Sequence, residues 1–212
     1  MSENLNHRYS TKEERLNVIS HGFGLVLSVI TFPFLISKSM QFAGFWKPLS
    51  FIIYGLSLII LYAASTFYHA AKDQKKRRKL NIFDHAAIYV LIAGSYSPFC
   101  LVALDSSLGW CMFLFVWFFA LTGVILKLFF TGRFDKISTA MYLLMGWQVM
   151  FFIKPLMESL TPEGFLYLVA GGVFYSIGAV LYSIKKLPFN HAIFHVFVLL
   201  GSLSHFIAIY NL

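Results

Sequence analysis

Charged side chains are scarce. They make up 12% of the 212 residues, where an ordinary soluble domain carries about 25%, so the chain has too little polar surface to wet a globule of this size. Cysteine is nearly absent: Cys100 and Cys111 are the only two, which excludes a disulfide framework and a CxxC zinc knuckle. Acidic residues are few beside basic ones, nine against 17, for a formal net charge of +8. No basic segment has the base-stacking or groove-reading context of a nucleic-acid binder, so nucleic acid is excluded as a partner and the excess charge needs another cause. Internal repeats and low-complexity linkers are lacking too, and a single helical unit is the simplest description.

What the chain has instead is apolar length. Hydrophobic residues make up 58% of it and aromatics 18%. Apolar runs bounded by charges, Pro or Gly fall at 18–37, 48–71, 82–104, 109–130, 138–158, 164–184 and 189–210, each near the roughly 20 residues that cross a bilayer. The fold class is therefore an all-α integral membrane protein, a bundle of seven transmembrane helices over 17–212 behind a short tail over 1–16. The first run is longer than the roughly 7–15 residues of a signal-peptide core and has no small-residue cleavage pattern before Lys38, so it is expected to stay attached.

Lysine and arginine then set the orientation. Arg8, Lys12 and Arg15, the six cations of 72–79, Lys127, Arg133, Lys136, Lys185 and Lys186 fall on one side, 14 in all, while Lys38, Lys47 and Lys154 fall on the other. Short loops rich in Lys and Arg remain inside. This places the N-terminus in the cytoplasm and the C-terminus outside, in a multi-pass membrane protein whose implied partners are membrane lipids. No segment nominates a protein partner. The stretch KDQKKRRK at 72–79 reads as a solvated stop-transfer loop suited to an anionic leaflet.

Histidine carries the chemistry. His21, His69, His85, His191 and His195 all map to the cytoplasmic ends of their helices, and ionisable residues inside spans are costly and usually face the bundle interior. His191 and His195 are spaced i, i+4, so both rings leave one helix face and two nitrogens can bind one cation. A third ligand must come from another helix. His69 is the best placed, with Ser65 four residues before it to hydrogen-bond the ring or a water. Asp84 is the nearest carboxylate and can take or relay a proton; His85 beside it competes as a ligand, although adjacent helix positions point about 100° apart. Three imidazoles with an open fourth position form a typical catalytic zinc arrangement. Cys100 and Cys111 lie at the other ends of their spans and read as buried, unpaired thiols.

These residues also resemble a known family. Glu14-x-x-Asn17-x-x-x-His21, Ser65-x-x-x-His69, Asp84 and His191-x-x-x-His195 occur in the order of the ExxNxxxH, SxxxH, D and HxxxH elements of the hemolysin III proteins, the bacterial branch of the progestin and adipoQ receptor family. The resemblance runs from Glu14 to His205. It implies seven helices with a cytoplasmic N-terminus, and a zinc site near the inner face bound by His69, His191 and His195. Asp84 would then approach through a water, Ser65 would support the site, and for some members ceramide hydrolysis is implied.

The remaining polar residues read as structural. Glu14, Asn17 and His21 share a stripe of the first helix, where Asn17 and His21 can bridge neighbouring motifs and Glu14 can pair with a basic loop, all three being candidates to support the ligands. Gly172 and Ser176 suggest a close helix approach, Pro155 a kink, and Lys154 with Glu158 an ion pair. His205 lies about 15 Å along the last helix from His195 and cannot reach the same ion, and His7 belongs to a solvated tail. Three functions remain: a zinc-dependent hydrolase of a lipid amide or ester, acting in membrane lipid homeostasis; a non-catalytic, metal-clipped membrane sensor; and a pore-forming cytolysin. The last needs a polar lining through the full bilayer, and these spans are polar chiefly at one end.

Overall fold

A computed structural model describes residues 9–130 and 135–212, and the regular structure among them is entirely helical. The helices are α1 (Thr11–Ser39), α2 (Trp46–Ala70), α3 (Gln74–Pro98), α4 (Ser107–Phe130), α5 (Asp135–Gly146), α6 (Ile153–Ser159), α7 (Pro162–Ser183) and α8 (Asn190–Tyr210). A π-helical turn over Phe99–Ala103 continues α3, and a 3₁₀ segment over Trp147–Phe152 joins α5 to α6. Seven helical stretches long and apolar enough to cross a bilayer result. His7, Arg8 and Arg133 lie outside the described residues, as does the side chain of Lys136.

The differences from the expected spans lie at their ends and have local causes. Helix α1 begins at Thr11 because Ser10 caps it: the Ser10 Oγ accepts the Glu13 N–H at 3.2 Å, and Glu13 and Glu14 place negative charge in the first turn. Helix α3 begins at Gln74 because the Asp73 carboxylate accepts the Lys76 N–H at 2.9 Å. The basic stretch is therefore not a solvated loop. Most of it is the opening of a helix, which straight-chain cations tolerate well, and one member, Arg77, is buried.

A proline stands at each irregular segment. Pro98 immediately precedes the π turn, in which Leu104 N–H reaches Phe99 O at 3.0 Å. Pro155 crowds the carbonyl four residues before it, where the 3₁₀ segment lies, and so produces the expected interruption. No ion pair joins Lys154 to Glu158 among the described residues. Cys100 is buried, whereas Cys111 is exposed on α4, which corrects the expectation of two buried thiols.

Helix α3 is the axis of the bundle: 72% of its apolar stretch is buried, against 22% for α1 and 17% for the fifth span. On one side Ala87, Leu91 and Phe99 share a core with Phe51, Tyr54 and Leu58 of α2. On the other, Tyr89, Ala93 and Cys100 meet Met112, Val116 and Met145. Helix α8 lies between α1 and α7. The close approach of α7 to α8 falls at Gly171, where a Cβ would sit 2.1 Å from His205 Cδ2; at Gly172, the expected position, a Cβ would meet nothing within 4 Å. Gly172 and Ser176 instead line a cavity.

Candidate metal centre

Two turns at one end of the bundle set the histidines. Helix α2 ends at Ala70 with His69 in its last turn. Helix α8 begins after Phe189, which takes the left-handed conformation (φ 57°). Asn190 then turns back, donating to Tyr182 O at 2.8 Å and closing the carbonyl end of α7. That turn aims the next residue, His191, inward, and His195 follows one helical turn later on the same face.

All three imidazoles are buried. Their ligand nitrogens lie within 4.8 Å of one another, and His69 Nε2 stands 3.1 Å from His191 Nε2. Ring centroids are 4.9 Å apart for His69 and His191, 5.0 Å for His69 and His195, and 4.5 Å for His191 and His195.

Each ring is held from behind by a residue at the start of the chain. His69 Nδ1 meets Glu14 Oε2 at 2.7 Å; a carboxylate only accepts, so Nδ1 carries the proton and the Nε2 lone pair faces the cluster. His195 Nδ1 lies 3.3 Å from Ser20 Oγ, whose own proton goes to Asn17 O at 3.1 Å. The hydroxyl must accept, which fixes the same tautomer. His191 Nδ1 is 3.0 Å from the Tyr9 hydroxyl, and the two rings stack at 4.6 Å. Burial, and then the nearby Tyr182 and Tyr68 phenols, raise the Tyr9 pKa above its ordinary value, so it stays a neutral phenol. The His191 backbone N–H donates to Glu13 Oε1 at 3.3 Å, and His21 stacks on His195 with centroids 3.5 Å apart.

The donor set fits a divalent cation. The 3.1 Å between the two Nε2 atoms is that of an N–H···N hydrogen bond when His191 Nε2 carries a proton, and it is close to the spacing of about 3.3 Å at which tetrahedral zinc, with Zn–N of about 2.05 Å, would hold two deprotonated nitrogens. Partners at the far ring nitrogens are what a ligating histidine uses to fix its tautomer and orientation. Three further residues beside the cluster carry buried polar atoms with no partner among the described residues: Asn17 Oδ1, Ser65 Oγ, and both ring nitrogens of His21. Buried polar groups are normally satisfied, so these orphans mark a place for a polar ligand or water.

The cluster opens onto a cavity of about 480 Å³, within the size range of small-molecule sites. His21, Ser65, Asp84, His85, His191 and His195 line its polar end. From Asp84 to Phe99 along α3 the wall runs about 22 Å at 1.5 Å per residue, and beyond the polar end it is mostly apolar, with Leu91, Ile92, Val149, Met150, Leu156 and Leu168 among its residues.

A profile of the haemolysin-III related family matches residues 9–206. The chain belongs to the haemolysin III family. It is 44% identical over 201 residues to the Hemolysin-3 homolog of Bacillus subtilis (strain 168), covering 95% of this chain and 94% of that protein. Identity to Hemolysin-3 of Bacillus cereus is also 44%, over 198 residues, 93% of this chain and 90% of the relative. The human monocyte to macrophage differentiation factor matches more distantly, at 27% over 209 residues, with 94% and 84% covered.

Within this haemolysin III chain the structure gathers His69, His191 and His195 into one group and leaves His85 out: His85 Nδ1 is turned to Asn81 O at 2.8 Å. Asp84 is buried on the cavity wall but does not belong to the compact group of three. Glu14 does meet the basic stretch, through Arg77, while its other oxygen takes His69. Asn17 Nδ2 lies 3.3 Å from His69 Nδ1. His205 is committed elsewhere, its Nε2 facing Leu168 O at 3.2 Å. Sequence reasoning missed Tyr9, Ser20 and Arg77. The Ser10-x-x-Glu13 signature would have started α1 early enough to bring Tyr9 to its edge, but no local pattern announces a contact between residues 9 and 191.

Proposed function

We propose that this haemolysin III protein is a zinc-dependent hydrolase of a lipid amide or ester, acting in membrane lipid homeostasis. It lies in the bacterial cytoplasmic membrane with its N-terminus and histidines on the cytoplasmic side. The observation that carries the reading is the union of three inward-facing imidazole nitrogens with the polar end of a long apolar cavity. A divalent ion held by His69, His191 and His195 supplies Lewis acidity and lowers the pKa of water toward about 7.

The chain's own residues do the rest. Glu14, Ser20 and Tyr9 hold the three ligand rings through Nδ1. The Asp84 carboxylate, on the wall of the polar end, takes the proton released during attack on the carbonyl. Ser65 Oγ, buried and without a partner, donates to the oxygen on which charge develops. The apolar walls hold the acyl chain and keep bulk water out. A sensor without turnover is favoured by one observation, that the ligands clip α2 to α8. The name of the relatives suggests a pore, but apolar walls over most of the cavity's length suit a lipid and not an aqueous path.

The test is metal analysis of the purified full chain and its His191→Ala variant, followed by incubation with ceramide and phospholipid panels. One zinc per chain with product release that the variant loses is the expected result. Stoichiometric zinc without turnover turns the reading to the sensor; dye leakage from liposomes that ignores His191→Ala turns it to the pore. Orientation is checked separately: a cysteine placed at exposed Arg78 in a cysteine-free background should resist impermeant maleimide in intact cells.

A further inference from the structure

Arg77 is unlike its neighbours. Lys75, Lys76, Arg78 and Lys79 are exposed, while Arg77 is 7% exposed. Its guanidinium makes three contacts, one to Glu14 and two to Tyr68, the residue before His69. Nη2 donates to Glu14 Oε1. Nη1 donates to the Tyr68 carbonyl at 3.3 Å, which also accepts the capping Ala71 N–H at the end of α2. The guanidinium plane also lies over the Tyr68 ring, 4.5 Å from its centroid. The second Glu14 oxygen meets His69 Nδ1 at 2.7 Å. Arg77 on α3, Glu14 on α1 and His69 on α2 thus form one line of charge-assisted contacts from three helices.

We propose that Arg77 is a positioning residue of the metal centre: it holds the Glu14 carboxylate against His69 Nδ1 and so presents His69 Nε2 to the ion. The inference rests on the metal reading above and extends it to a residue that touches neither ion nor ligand ring. A carboxylate on a flexible two-carbon stem does not hold one rotamer by contact with an imidazole alone. Anchoring its far oxygen on a guanidinium fixes both ends. Lysine substitutes only in part, because the position uses two donors in a fixed fork and a flat face stacked on an aromatic ring.

The experiment uses the full-length protein in detergent. Zinc affinity is measured by competition with a chromophoric chelator, and the visible spectrum is recorded after cobalt substitution. Arg77→Gln should weaken zinc binding by about 10- to 100-fold, the usual cost of losing an outer partner of a ligand, and shift the cobalt bands. Arg78→Gln should change neither, and Arg77→Lys should recover only part of the affinity. In a Glu14→Gln background Arg77→Gln should add little further loss, because its effect passes through that carboxylate. A general loss of folding would instead lower the melting temperature of the metal-free protein and add fully to Glu14→Gln. Wild-type affinity and spectrum in Arg77→Gln, or full additivity with Glu14→Gln, would overturn the proposal while leaving the metal reading intact. If the wild type itself holds no zinc, the metal reading falls and Arg77 with it.

Discussion

Gly171 and Gly172 are neighbours on α7 with opposite surroundings, and leucine should raise stability at Gly172 but not at Gly171. At Gly172 a Cβ meets nothing within 4 Å. Leucine there removes the helix penalty of glycine, a gain of about 0.8–1.0 kcal/mol. Filling the cavity adds little to that, because an apolar side chain inside a membrane bundle only exchanges lipid contacts for protein contacts. About 1 kcal/mol raises the melting temperature of a chain this size by about 2–4 °C. At Gly171 the new Cβ would sit 2.1 Å from Cδ2 and 2.4 Å from Nε2 of His205, whose ring faces Leu168 O at 3.2 Å. Overpacking of this kind costs about 1–3 kcal/mol, which cancels or exceeds the helical gain. Thermal unfolding in detergent reads both effects. Gly172→Leu also projects into the cavity, so it should abolish most lipid turnover while zinc stoichiometry stays at the wild-type value. Equal shifts for the two variants, or wild-type turnover in Gly172→Leu, would refute the account of the cavity wall.

Asp84→Asn should retain zinc, since Asp84 stands outside the group of three ligands, yet lose hydrolysis; isothermal titration beside a product assay separates the two. Ser202→Ala removes the oxygen shared by Tyr62 at 2.8 Å and Tyr175 at 2.9 Å. Two interhelical hydrogen bonds at about 0.6–1.7 kcal/mol each predict a loss of about 1–3 kcal/mol in denaturant unfolding, with Tyr62→Phe costing about half.

Much of the bundle was legible because its signals are local. Seven apolar runs are read one at a time, and the i, i+4 pair His191 and His195 needs only helical periodicity. His69 joined them through its level in the bundle, a property topology supplies. What stayed hidden was set by other forces. The start of α3 was hidden because the cations at 75–79 look like a loop by polarity, while Asp73 and straight-chain side chains make it a helix. Arg77 could not be told from Arg78 by composition, since only packing against Tyr68 and Glu14 separates them. Gly172 and Ser176 carry the small-residue spacing of a helix contact, but the contact falls one residue earlier, about 100° around α7. Tyr9 and Ser20 meet rings 182 and 175 residues away, and no spacing rule reaches that far.

The three clustered rings come from α2 and α8, and the groups that orient them come from α1 and from Tyr9 just before it. During biosynthesis the first of these helices is made long before the last, so a growing chain can present His69 and its Glu14 partner but not a tridentate pocket. On the metal reading proposed above, ion capture would be confined to protein whose final helix has already inserted and closed against the first. Loading would then report completed assembly, and a chain stalled before α8 would lack two of the three rings.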